Sequence, residues 1–167
     1  MAIRTIMKEG ESCLSKKCHP VTQFDGKLHD LLDDMAETMR DADGVGLAAP
    51  QVGILRRAVV VLDENEEIIE LVNPEVLHTE GKQEGLEGCL SIPGKYGIVT
   101  RPYTVRLRAQ DRDGAWFEIE DEGLTARAFL HEIEHLDGHL FNEHIDRYLT
   151  EEEIQAYYED EEEGEGE

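Results

Sequence analysis

His131-Glu132-Ile133-Glu134-His135 constrains this chain more than any other stretch, because two imidazoles four residues apart lie about 400° around a helix and so share one face. One metal ion suits that geometry. Glu132 sits roughly 100° around the same helix, close enough to reach a water held by the metal without itself occupying a coordination position. The flanks support a helix that is apolar over most of its circumference. Leu124, Ala128, His131 and His135 fall on one face, and Phe129, Ile133 and Leu136 on another. Such a helix is expected to be buried. A pair of core histidines would be an adequate account of His131 and His135 alone; the glutamate between them turns the reading towards a metal site.

Two histidines leave a catalytic metal short of a third protein ligand, and the spacing of candidates separates one class of enzyme from another. A metzincin-type pattern needs a third histidine at position 141, where the chain has Phe141. A thermolysin-like site would draw on a downstream carboxylate, yet Glu151 to Glu153 belong to the first turn of a capped acidic helix. Cys89 is the remaining candidate. It stands in Glu87-Gly88-Cys89-Leu90-Ser91-Ile92-Pro93-Gly94, where glycines let the backbone approach another element closely.

The rest of the chain reads as one α+β domain: short antiparallel sheets around a central buried helix that carries the histidine motif. At 167 residues it is long enough for a single core. Asp25 caps a first helix in which Leu28, Leu31, Leu32, Met35 and Met39 recur at helical spacing, ending near Gly44. Strands are expected at Ala58 to Leu62, Ile68 to Val72, Tyr103 to Ala109 and Ala115 to Ile119, with glycine-containing loops at Gly44 to Gly53 and Gly81 to Gly97. Thr150 and Glu153 form a capping box for a last helix, which Tyr157 and Tyr158 would anchor. From Asp160 onward the chain is nearly all acid and glycine, and disorder is expected. The division is therefore a catalytic domain over 1–149 and a C-terminal helix with an acidic, disordered tail over 150–167.

The net charge of −23 argues against direct nucleic-acid or anionic-membrane binding. Thr150 to Glu167 supplies ten acids and no base, leaving −13 on the first 149 residues, so acidity is spread along the chain. The N-terminus lacks the apolar stretch of a secretion signal and no run is long enough to span a membrane. Three cysteines, Cys13, Cys18 and Cys89, show no disulfide spacing. A cytoplasmic protein is expected.

Three segments in this order resemble the motifs of the peptide deformylases: Gly44-Val45-Gly46-Leu47-Ala48-Ala49-Pro50-Gln51, Glu87-Gly88-Cys89-Leu90-Ser91, and His131-Glu132-Ile133-Glu134-His135. The resemblance covers residues 1 to about 149. It implies a metal-dependent hydrolase that removes the formyl group from the N-terminal formylmethionine of nascent proteins and releases formate. Carried over residue by residue, it assigns Cys89, His131 and His135 to the metal and Glu132 to general acid/base work. Gln51 and the backbone N–H of Leu90 become donors to the developing oxyanion. Gly46 falls to alignment of the peptide, Val45, Leu124 and Ala128 to the methionine side chain, and Gly44 to substrate binding beside them. Fe2+ is implied as the native metal, with Zn2+, Ni2+ or Co2+ able to occupy the site in a purified sample. A monomer acting on formylmethionyl nascent peptides is implied, with ribosome proximity reached by some route other than a basic C-terminal helix.

The chain departs from the family pattern at Leu130, where glutamine is common, at Glu134, where aspartate is usual, and at Leu86, often glutamate. The extra methylene of Glu134 alters its reach, so any support it gives the metal site is changed. Two other readings remain open from the residues alone: a zinc metallopeptidase, which Cys89 in its motif argues against, and a non-catalytic metal-binding module, which would require neither Glu132 nor Gln51.

Overall fold

The structure, a computed structural model, describes residues 2–165. In chain order its elements are α1 (Gly26–Asp41), β1 (Gly46–Ala48), β2 (Ala58–Leu62), β3 (Ile68–Glu80), β4 (Gln83–Cys89), β5 (Ile92–Arg101), β6 (Thr104–Gln110), β7 (Trp116–Glu122), α2 (Gly123–Leu136) and α3 (Glu151–Glu165). The strands form an antiparallel five-stranded sheet in the order β1–β2–β3–β6–β7 and a separate β4–β5 hairpin. This is the mixed helix-and-sheet architecture the sequence suggested.

The sheet is covered on both faces where β2 runs through it, which is why Ala58-Val59-Val60-Val61-Leu62 shows no polar alternation. Successive side chains of a strand point to opposite faces. Val59 and Val61 join Phe129, Ile133 and Leu136 of α2, whereas Ala58 and Val60 join Leu28, Met35 and Met39 of α1. Asp25 opens α1 as expected, its carboxylate accepting the Leu28 N–H at 3.2 Å. At the far end of α2, the Leu136 carbonyl accepts the Cys18 N–H at 2.8 Å and Arg57 Nη1 at 3.2 Å. Two chain-distant donors thus satisfy a helix-end carbonyl.

The expected loop at Gly81 to Gly97 is a correction: that stretch is largely the β4–β5 hairpin. Its glycines depress strand propensity, yet they are what the packing requires. A Cβ on Gly88 would stand 2.5 Å from the Tyr96 ring, so only glycine lets the two strands close there. β3 also runs to Glu80, well beyond its apolar run. The extension is mostly exposed and is held by pairing along β6, from Glu75 opposite Arg108 to Glu80 opposite Thr104.

The capping box of α3 is formed, with Thr150 N–H on Glu153 Oε1 at 3.1 Å and Glu153 N–H on Thr150 Oγ1 at 3.2 Å. The helix continues to Glu165, past Asp160, where disorder was expected. Glutamate has good helix propensity, and the run extends a nucleus that is already capped. Residues 166–167 of the expected tail lie outside the described residues. Tyr157 seats α3 on the hairpin, its phenolic oxygen accepting the Leu86 N–H at 3.3 Å. No helix among the described residues is long and apolar enough to cross a membrane.

Phe129 is fully buried between α2 and the sheet. Phe129→Ala is expected to lower unfolding stability by about 3–5 kcal/mol, measured as a fall in urea midpoint at unchanged m-value.

Candidate active site

The turn of the β4–β5 hairpin brings Cys89 beside α2, where His131 and His135 share the face expected of residues four apart. Ligand atoms of these three side chains all lie within 4.8 Å of one another, the one such group among the described residues. Cys89 Sγ is 3.5 Å from His135 Nε2, and the two imidazole centroids are 5.1 Å apart. Both histidines are buried. Burial holds the His135 imidazole well below its ordinary pKa, with His131 and Arg101 adding to the effect. Burial also disfavours the His131 imidazolium, but Glu132, Cys89 and Glu87 together carry it up to about 10.

His131 is oriented by a carboxylate that lies underneath it. Glu87 Oε1 is 2.8 Å from His131 Nδ1, so Nε2 is the nitrogen left for the Cys89 side. The same carboxylate accepts Arg101 Nε at 2.6 Å and Nη2 at 2.9 Å, and Arg127 Nη1 at 2.6 Å. All four side chains are buried. Burial opposes ionisation of Glu87, but the hydrogen bonds from Arg101 and His131 hold its carboxyl far below the usual range. Glu134 supplies the second acid. Its longer side chain reaches both Arg101 Nη1 and His144 Nε2, so the methylene that distinguishes it from aspartate is used in bridging two partners. Phe141 stacks on the other side of His131, centroids 5.9 Å apart at 23°.

Glu132 points to the first motif. A Cβ added to Gly46 would stand 2.5 Å from Glu132 Oε2, so the glycine is required by the approach of this carboxylate. Glu132 Oε1 is buried with no hydrogen-bond partner and lies 3.7 Å from His135 Nε2. Burial raises its carboxyl to about 7, against the opposing influence of His131. Gln51 is buried on the 3₁₀ turn Ala49–Val52, its Oε1 accepting the Ala48 N–H at 2.9 Å. That fixes the amide so that Nε2 donates, to Ser91 Oγ at 3.1 Å and towards Cys89 Sγ at 3.5 Å.

A cleft of about 630 Å³ gathers Gly44, Val45, Gly46, Gln51, Cys89, Leu90, Leu124, Ala128, His131 and Glu132 in its lining. His135 lies behind it, fully buried. Val45 and Leu124 stand at the rim, 62% and 71% exposed, so Leu124 shares the cleft-lining side of α2 with Ala128 and His131 as helical periodicity put it, but is not buried there as expected. Sequence reasoning missed Arg101 and Arg127, quoted Glu87 and Ser91 only as parts of a motif, and named Phe141 only as the residue in place of a third histidine. Arg127 did carry a signal: a charge within an apolar stretch of helix needs a buried partner.

Residues 3–151 match the family model for polypeptide deformylase. Relatives named peptide deformylase include those of Lachnoclostridium phytofermentans, 56% identical over 146 residues that span 86% of this chain and 89% of that protein, and of Caldanaerobacter subterraneus subsp. tengcongensis, 56% identical over 84% and 88%. This chain belongs to the polypeptide deformylase family. Solved deformylases superpose closely: that of Thermotoga maritima has a TM-score of 0.84 at 38% identity, over 87% of this chain and 99% of that one. That of Legionella pneumophila has 0.82 at 42%, over 94% and 92%. The chain is therefore a hydrolase that removes formyl groups from nascent peptides, and the deformylase family is metal-dependent. The donor set suits a transition metal: one soft thiol and two imidazoles converge.

Gly46→Ala is expected to displace Glu132 and lower kcat on the order of 10²-fold, as misplacement by about 1 Å does, with metal content unchanged. Glu87→Gln leaves two buried guanidiniums undercompensated and is expected to cost roughly 3–5 kcal/mol, read from chemical denaturation.

Proposed function

We propose that Cys89, His131 and His135 hold a single divalent metal ion and that Glu132 is the general acid/base in hydrolysis of the formyl amide. Fe2+ is the native ion in this reading, and Zn2+, Ni2+ or Co2+ can replace it. The observation that carries it is the meeting, beside one cleft, of residues from two distant motifs: a thiol and two imidazoles whose ligand atoms lie within 4.8 Å of one another, with an unpartnered buried carboxylate oxygen beside them.

When bound, the metal supplies Lewis acidity, lowering the pKa of water and drawing charge from the formyl oxygen. Glu132 takes a proton from the attacking water as its oxygen bonds to the formyl carbon. The carbonyl π pair moves to oxygen, where Gln51 Nε2 and the Leu90 N–H donate hydrogen bonds. Glu132 then gives its proton to the amide nitrogen, the C–N bond breaks, and formate leaves with a free amino terminus. Gly44 and Gly46 present backbone to the peptide, and Val45, Leu124 and Ala128 receive the methionine side chain. Exposed apolar residues at a cleft rim fit that task. The reading also takes residues 1–149 as the catalytic domain with α2 at its centre, in a monomeric, cytoplasmic enzyme that binds neither nucleic acid nor membrane directly. The acidic α3 offers no basic surface for docking on a ribosome.

The test is Glu132→Gln, expected to keep its metal and lose about 10²- to 10⁴-fold in kcat, followed by formate release from formyl-Met-Ala-Ser. Near-normal turnover would remove Glu132 from the role. A thiolate ligand beside iron should also be the point of oxidative failure. Peroxide is therefore expected to inactivate the iron form faster than the nickel form, with Cys89→Ser losing metal; equal decay and full occupancy would dismiss Cys89 as a ligand.

A further inference from the structure

Gln51 and Ser91 are both buried, and each sits in a short turn that leaves its carbonyl to find a partner from elsewhere. In the 3₁₀ turn Ala49–Val52 the closing N–H groups of Gly53 and Ile54 go to the carbonyls of Pro50 and Ala49. The Gln51 carbonyl is taken instead by the Met7 N–H at 2.7 Å. Ser91 lies between β4 and β5, and its carbonyl accepts the Glu9 N–H at 2.9 Å. Both donors come from one stretch near the N-terminus, in which residues 2–8 belong to no helix or strand and Lys8 and Glu9 are exposed.

The spacing suits the task. Extended chain repeats every two residues, so the Met7 and Glu9 N–H groups point the same way, while the Lys8 N–H between them has no hydrogen-bond partner among the described residues. Gln51 Nε2 donates to Ser91 Oγ at 3.1 Å. The two turns are therefore joined directly to each other and a second time through Met7 and Glu9. The Glu9 carboxylate adds a further attachment, accepting Asn142 Nδ2 at 2.7 Å. Asn142 belongs to the 3₁₀ turn Phe141–His144, whose Phe141 stacks on His131.

Resting on the reading above, in which Gln51 Nε2 and the Leu90 N–H receive the developing oxyanion, we propose that the backbone N–H groups of Met7 and Glu9 form a strap that positions those two donors. Gln51 and Leu90 stand in different turns, and Leu90 adjoins Ser91, so holding the backbones of Gln51 and Ser91 sets the spacing of the pair. An oxyanion site works because its donors are in place before the charge develops. A loosened strap therefore slows the chemical step and leaves substrate and metal binding as they were. Met7 and Glu9 are positioning residues, acting through Gln51 and Ser91.

The experiment measures formate release from formyl-Met-Ala-Ser by metal-loaded full-length protein. Met7→Pro and Glu9→Pro each remove one donor, and each is expected to lower kcat about tenfold, short of the loss that a full misplacement of the donors would cause, with KM and metal content unchanged. Met7→Leu retains the N–H and should restore kcat. Lys8→Pro stiffens the same stretch without removing a donor in use, and should not reproduce the loss. The deciding readout is coupling: in a Gln51→Ala background Met7→Pro should change kcat by less than about twofold, whereas a general loss of stability would act additively. In the unsubstituted protein the Met7 and Glu9 amides should exchange with solvent about tenfold or more slowly than the Lys8 amide, a measurement that decides the matter where a proline variant does not fold. Exchange at Met7 and Glu9 as fast as at Lys8, undiminished kcat in both proline variants, an equal loss in Lys8→Pro, a loss that follows metal content, or additivity with Gln51→Ala overturns the strap and leaves the deformylase reading intact. Undiminished kcat in Gln51→Ala removes the oxyanion role of Gln51 and the strap with it. Failure of the unsubstituted protein to release formate overturns the deformylase reading itself.

Discussion

The buried carboxylate of Glu87 is the constraint around which this molecule is arranged. An anion in that position is tolerable only if it is fully hydrogen-bonded and its charge is answered. Arg101 from β5, Arg127 from α2 and His131 from α2 all converge on it, and Glu134 answers the second guanidinium through Arg101. Glu87 and Glu134 between them answer both guanidiniums, and His131 completes the hydrogen bonding of Glu87. This network joins the hairpin to the helix more specifically than apolar contact could, and it sets which nitrogen of His131 faces Cys89. The orientation of the site and the attachment of the hairpin are one interaction.

Much of the site was legible because its chemistry uses residue types that serve few other purposes in such a pattern. Spacing singled out His131, Glu132 and His135, elimination and a glycine-flanked motif singled out Cys89, and the structure brings the thiol and the two imidazoles together. α1, β2 and the α3 cap were legible for a different reason: each is set by local rules of capping and periodicity. The β4–β5 hairpin was not, because its glycines answer to bulky partners distant in sequence, and Arg101 was not, because nothing near it in the chain announces a partner. Leu124 misled for a related cause. Helical periodicity gives the side of a helix but not what covers its first turn, and here that turn opens on the cleft.

Glu134 and Phe141 together show how the segment after α2 contributes. Glu134 reaches forward to His144, and Phe141 reaches back onto His131. The short stretch between is fastened at both ends to the helix that bears His131 and His135. A substitution of aspartate by glutamate, which on paper changes only length, here connects a surface histidine to the buried charge network.

The closure of the Leu136 carbonyl by the Cys18 N–H and by Arg57 bears on how the protein comes into being. Cys89 precedes His135 by 46 residues, and the donor that finishes the end of α2 lies farther back still. Contacts of such separation form late in folding. During its own synthesis the chain can assemble neither the donor set nor the end of that helix until nearly the whole catalytic unit has left the ribosome. Under the metal assignment proposed above, acquisition of the ion and completion of the fold fall together, at the last stage of the molecule's own birth as a nascent chain.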